Sequence, residues 1–102
     1  MMRLTLDALA VLDAIDRRGS FAAAAAELTR VPSAITYTIQ KLEHDLGVAV
    51  FDRSGHRARL TPAGRRLLEE GRQLLRAAGD LERSVKRVAT GWETDLCIAV
   101  AD

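Results

Sequence analysis

Cysteine occurs once in these 102 residues, at Cys97, so no disulfide can form within the chain, and a reducing compartment suits it. Aromatic side chains are also scarce. Hydrophobic residues make up 48% of the chain, but only four residues are Phe, Trp or Tyr. Ala, Leu and Val must therefore fill the interior, which predicts closely packed helices. No apolar run reaches the ~20 residues of a membrane span, and no secretory h-region is present. A soluble, cytoplasmic protein with no membrane partner is expected. The parts of an active site are missing too. His44, His56 and Cys97 are the candidates for nucleophile, base or soft metal ligand, and they are scattered. No pair has HxxxH or CxxC spacing, and no Gly-rich phosphate loop follows a strand. The expectation is no enzyme, no metal and no cofactor.

The net charge of +1 excludes nothing, but its distribution is uneven: between Arg53 and Arg66 there are five arginines and no acidic residue. Around that stretch the chain divides into recognisable elements. Thr5 caps a first helix in which Leu6, Leu9, Leu12 and Ile15 recur at helical intervals up to Arg17, with Gly19 at its end. Ser20 caps a second, "FAAAAAEL", with Phe21, Ala24, Ala25 and Leu28 on one face. After the break at "TRVP", Pro32 opens a third, with Ile35, Ile39, Leu42 and Leu46 on one side and Gly47 beyond it. "VAVF" (48–51) and "ARLT" (58–61) read as two short strands around a turn at Ser54-Gly55. Thr61-Pro62 then starts a long helix, from about Pro62 to Ala89, with Gly91 as its stop. "TDLCIAVAD" at the C-terminus reads as a strand without partners, the start of a further domain. The division is 1–61, 62–90 and 91–102. The fold class is mainly α: a winged helix-turn-helix of three helices and a two-stranded wing, followed by a long linker helix.

Three features point to a use. First, the outer face of the third helix carries Ser33, Thr36, Tyr37, Gln40 and His44, flanked by Lys41. A solvated face ordinarily alternates Glu and Lys. This one has no acid and no long aliphatic, so it can approach base edges without repulsion from phosphates, and Gln40 suits a bidentate pair with adenine. Second, Arg53, His56, Arg57 and Arg59 surround the wing tip, an arrangement for phosphate contact or a narrow minor groove. Arg53 is the foremost of these, because Phe51 can anchor its strand. Arg30, Lys41, Arg57 and Arg59 are the expected phosphate contacts. Third, Leu67, Gly71, Leu74, Ala78, Leu81, Val85 and Val88 are spaced 4, 3, 4, 3, 4, 3, a heptad seam that Leu68 and Leu75 widen. A helix of ~28 residues measures roughly 40 Å, more than a small core needs, so a second copy is the expected partner. The competing reading is a helical protein-interaction module that zips its long helix onto a different protein.

The segments "GSFAAAAAEL", "PSAITYTIQKLEHDLGVAVFDR" and "LTPAG" resemble the DNA-binding end of a LysR-type transcriptional regulator. Ser20-Phe21, Leu42-Glu43, Leu46-Gly47-Val48, Phe51, Arg53, Leu60-Thr61 and Gly64 fall in the family's order. The resemblance implies a bacterial regulator on dyad-symmetric operator DNA, dimeric through antiparallel linker helices and often tetrameric at full length. Any small-molecule effector would bind a periplasmic-binding-protein-like domain beginning near Trp92. It also implies recognition contacts from Pro32, Ser33, Thr36, Tyr37 and Gln40, with Arg53 as the wing residue. Two departures stand out. Val31-Pro32 replaces a usual Ser-Gln pair, and Thr36-Tyr37 replaces a usual Ser-Arg pair. Both fall where sequence is read, so the resemblance does not carry an operator preference across.

Overall fold

The computed structural model describes residues 2–54 and 58–101, with side chains as far as Thr90. The elements run α1 (Leu6–Arg18), α2 (Phe21–Leu28), α3 (Pro32–Leu46), β1 (Phe51–Asp52), β2 (Arg59–Leu60) and α4 (Pro62–Ala101). Hydroxyl side chains start three of these helices. Thr5 Oγ1 accepts the Ala8 N–H (3.1 Å), Ser20 Oγ the Ala23 N–H (3.0 Å) and Thr61 Oγ1 the Gly64 N–H (2.9 Å). Each satisfies a donor that a helix start leaves unpaired. α3 has no side-chain cap; Pro32 instead deletes one such donor and presets φ. Gly19 and Gly47 close α1 and α3 at φ of 84° and 69°. Thr29 closes α2 in the same left-handed region, at φ 56°, held by Thr29 N–H on Ala26 O (3.3 Å) and Arg30 N–H on Ala25 O (2.9 Å). That tight closure brings α3 back against α2 within three residues.

The core gathers Val11, Leu12, Ala14 and Ile15 of α1, Ala24 and Ala25 of α2, and Ile35, Ile39 and Leu42 of α3, with Val50, Phe51 and Leu68. Two alanines at the α2 contact leave no room between α2 and its neighbours. Phe51 is buried and meets Phe21 edge to face, ring centres 5.3 Å apart at 61°, which pins the wing to the helices. β1 and β2 pair antiparallel, Phe51 opposite Leu60 and Asp52 opposite Arg59.

Several expectations need correction. The strands expected over 48–51 and 58–61 are shorter. Val48 spends its N–H on Glu43 O (3.2 Å) to finish α3, and Val50 is bonded to Glu43 and Thr61 before the ladder begins. Leu6 and Leu46, expected on inward faces, are 50% and 40% exposed, because the first turn of α1 and the last of α3 overhang the core. α4 does not stop at Gly91 but continues to Ala101, so the expected C-terminal strand is helical. A strand needs a neighbour to pair its backbone, whereas a helix satisfies it locally, and one internal glycine costs only about 1 kcal/mol.

The base of α4 belongs to the winged domain. Leu68 is buried, Leu67 packs against the core, and Gly71 lies under Leu9 of α1 so closely that a Cβ would come within 2.8 Å of Leu9 Cδ2. Gly71 and Leu67, placed on the expected seam, thus also contact the chain's own core, and Leu68 is buried in it. Next to them, Arg72 Nε reaches Asp13 (2.7 Å) and Arg72 Nη2 reaches Asp16 (3.0 Å) of α1. Beyond this point the helix leaves the core, and Leu74, Leu81, Val85 and Val88 are exposed. Burial works to raise the Asp13 carboxyl, but hydrogen bonds from Arg17 and Arg72 outweigh it and hold the group below its ordinary 3.8. A depressed carboxylate stabilises the fold fully above its unfolded-state pKa and ceases to as pH falls through the folded one. The melting temperature is thus expected to drop below about pH 4, with a shallower acid limb in Asp13→Asn.

Candidate nucleic-acid interface

α3 is amphipathic in the strict sense. Ile35, Ile39 and Leu42 are buried, while Pro32, Ser33, Tyr37, Gln40 and Lys41 are exposed on the other side, with Thr36 half-buried between. Tyr37 presents 65% of its surface. None of the hydrogen bonds among the described residues uses the side chains of Ser33, Tyr37 or Gln40; Thr38, by contrast, turns back to the Ala34 carbonyl (2.9 Å). The helix thus holds out a ridge of donors and acceptors, about as wide as a side chain row, on a rigid base.

The cations expected to contact phosphate do not stand alone. Arg30 makes a two-armed pair with Asp7 at the head of α1, Nη1 to Oδ2 at 3.1 Å. Lys41 Nζ lies 2.9 Å from Asp45 Oδ2, and Arg3 approaches the same carboxylate at 3.8 Å. Arg53 Nη2 donates to Glu43 Oε1 at 3.1 Å. The Arg30 hydrogen bond and charge keep the Asp7 carboxyl below its usual range, and Lys41 does the same for Asp45. Each of these cations is therefore oriented in advance, with Asp45 and Glu43 largely covered and Asp7 open to solvent. No salt bridge engages Arg59 among the described residues; it is exposed on β2 beside Asp52. His56 and Arg57 lie outside the described residues.

Glu43 was not among the sequence candidates, yet it organises the wing. Its Oε2 accepts the Val50 N–H (2.7 Å) and the Phe51 N–H (3.3 Å), while Oε1 takes Arg53. One carboxylate on α3 thereby fixes both the wing backbone and the direction of its leading arginine. The signal lay in an acid on α3 a few residues upstream of an otherwise basic hairpin. Asp7, which holds Arg30, was not among the sequence candidates either. Asp52 accepts the Ser54 N–H (2.9 Å), a turn-forming bond just after β1.

Residues 6–65 match the family model described as the bacterial regulatory helix-turn-helix protein, lysR family. The chain belongs to the LysR family. The HTH-type transcriptional regulator YhaJ of Escherichia coli O157:H7 is 64% identical over 95 residues, 93% of this chain and 32% of that protein. PunR of Escherichia coli K12 is 45% identical over 90% of this chain and 30% of its own length. The chain thus spans about a third of the length of the curated LysR relatives it matches. Among solved structures, the CbnR DNA-binding domain in complex with DNA superposes with a TM-score of 0.78 at 35% identity, covering 84% of this chain and 99% of that one. The BenM DNA-binding domain with catB site 1 DNA superposes at 0.83 and 27% identity, covering 86% and 95%. The winged helix-turn-helix expected from the sequence is the architecture found, and it is that of LysR DNA-binding domains.

Proposed function

We propose that this chain is the operator-reading end of a LysR-type regulator, acting as a homodimer that lays α3 in successive major grooves with the wing at the minor groove. The observation that carries the reading is the outer face of α3: acid-free at its centre, with Ser33, Tyr37 and Gln40 uncommitted, in a fold shared with LysR domains solved on DNA. Pro32 and Thr36 border that face. Arg30 and Lys41 exchange their carboxylate partners for phosphates, while Arg53 reaches the duplex as Glu43 directs it, joined by Arg59 and by Arg57 and His56 from the wing. Leu74, Leu75, Ala78, Leu81, Val85 and Val88, which run on from Leu67 and Gly71 at the core, form the seam between copies. Residues 91–102 lead toward whatever effector-binding domain the full-length protein carries, and its cytoplasmic location follows from this role.

The test is selection from randomised duplex DNA, followed by fluorescence anisotropy on the selected and a scrambled site across a salt series. A selected dyad site bound more tightly than the scramble supports the reading; self-assembly with no DNA preference favours the interaction module. Within that assay, Gln40→Ala is expected to relax discrimination by about 1–3 kcal/mol at the affected base pairs. Arg59→Ala is expected to weaken all sequences alike and reduce the salt slope by about one. Equal losses on both duplexes from Gln40→Ala would sink the base-reading role.

A further inference from the structure

The ion pairs that join α4 to α1 lie away from the α3 face and are not needed to bury it. They also have a specific geometry. Arg72 spreads its planar fork over two carboxylates one turn apart on α1, Nε on Asp13 and Nη2 on Asp16. Asp13 is held in turn by Arg17 Nε at 2.8 Å, and Arg17 Nη1 continues to Glu27 of α2 at 3.1 Å. A ladder of charges thus runs from α4 through α1 to the helix that precedes α3. Beside it Gly71 lies close under Leu9, where a Cβ would come within 2.8 Å of Leu9 Cδ2. Two charged anchor points beside that close contact define a direction.

We infer that Arg72, gripped by Asp13 and Asp16, is a positioning residue that sets the direction in which α4 leaves the winged domain, and with it the half-site spacing that a dimer reads. The inference rests on the dimeric reading above. Its leverage is geometric. From Arg72 to Val88 the helix advances ~24 Å, so a tilt of about 10° at the base moves the Val88 end by about 4 Å, close to one base-pair step. An unclamped α4 samples a range of such tilts, and the two α3 helices then lose their fixed separation.

Two readouts on the 102-residue chain test this. In a Cys97→Ser background, nitroxide labels at Ala22→Cys and Arg87→Cys report the α2-to-α4 distance by double electron–electron resonance, without DNA. Duplexes carrying the selected half-site twice, with the spacer varied one base pair at a time, report spacing. The wild type is expected to give a narrow distance distribution and to lose about tenfold or more in affinity two base pairs off the optimum. Arg72→Ala is expected to broaden the distribution and reduce that penalty to about threefold or less, with affinity for a single half-site unchanged. Arg72→Lys, a point charge able to serve one carboxylate at a time, falls between. Asp16→Asn removes just the outer arm and serves if Arg72→Ala melts too low. An unchanged distance distribution overturns the clamp. A broadened distribution with an unchanged spacing profile overturns its role in spacing. A wild type without any spacing preference overturns the dimeric reading, while the distances still decide whether Arg72 orients α4.

Discussion

Gly64→Ala is expected to lower the stability of the chain by about 3 kcal/mol, the upper end of what overpacking costs. A methyl group at Gly64 runs into the carbonyl oxygen of Val50 and comes within 3.1 Å of Leu60 Cδ2. That carbonyl cannot retreat cheaply, because it accepts the Thr61 N–H at 3.0 Å and lies 3.3 Å from Thr61 Oγ1. Thr61 is also the cap of α4 and donates to the Ala49 carbonyl at 2.6 Å, so moving Val50 undoes the seam between wing and linker. Urea unfolding should show a lower midpoint with an unchanged slope. Gly79→Ala is the control. A Cβ there meets nothing nearer than the Arg83 guanidinium at 3.5 Å, so helix propensity alone acts and the variant gains up to about 1 kcal/mol. If Gly64→Ala tracked Gly79→Ala, the close approach to Val50 would carry no energetic weight.

The second large effect is expected from Glu43→Ala, at about 2 kcal/mol of stability together with weakened DNA binding. Val50 is fully buried, and without the carboxylate its N–H has no acceptor, the costly case for a hydrogen bond. Arg53 loses its orientation at the same time, which separates this variant from an ordinary destabilised one: binding should fall even at temperatures where the chain is folded. Glu43→Gln retains an acceptor oxygen for the wing backbone but not the charge that steers Arg53. It should recover most of the stability and less of the binding. Hydrogen exchange at the Val50 amide is the direct readout. Unchanged protection there in Glu43→Ala would mean that the wing is held by Phe51 and Thr61 without Glu43.

The helices and their ends, apart from the end of α4, were legible in the sequence because their determinants are local. Thr5, Ser20 and Thr61 cap, and Gly19 and Gly47 terminate, through bonds to residues three to five positions away. The polar face of α3 was legible for the same reason, since helical periodicity alone assigns Tyr37 and Gln40 to the side opposite Ile35 and Ile39. What failed were the distant pairings. Nothing in the spacing of α4 shows that Gly71 meets Leu9 or that Arg72 meets Asp13, 59 positions earlier. A heptad pattern cannot tell packing on oneself from packing on a copy, so the core contacts of Leu67 and Gly71 are not visible in it. The partners of Arg30 and Arg53 were hidden in the same way, because charge counting along a segment does not see a carboxylate from another helix. The C-terminal run was read as a strand from composition alone, without a neighbour to pair with.

The five consecutive alanines of α2 have a consequence for how such a domain can vary. Ala24 and Ala25 fill their places completely, so nearly every replacement there adds atoms to occupied space. Ala22 and Ala26 face outward and accept change freely. Mutational drift in α2 is therefore confined to its outer surface, and the distance it keeps between α1 and α3 is shielded from it. A chain built this way can diversify the residues that read DNA, such as Tyr37 and Gln40, while the frame that presents them stays still.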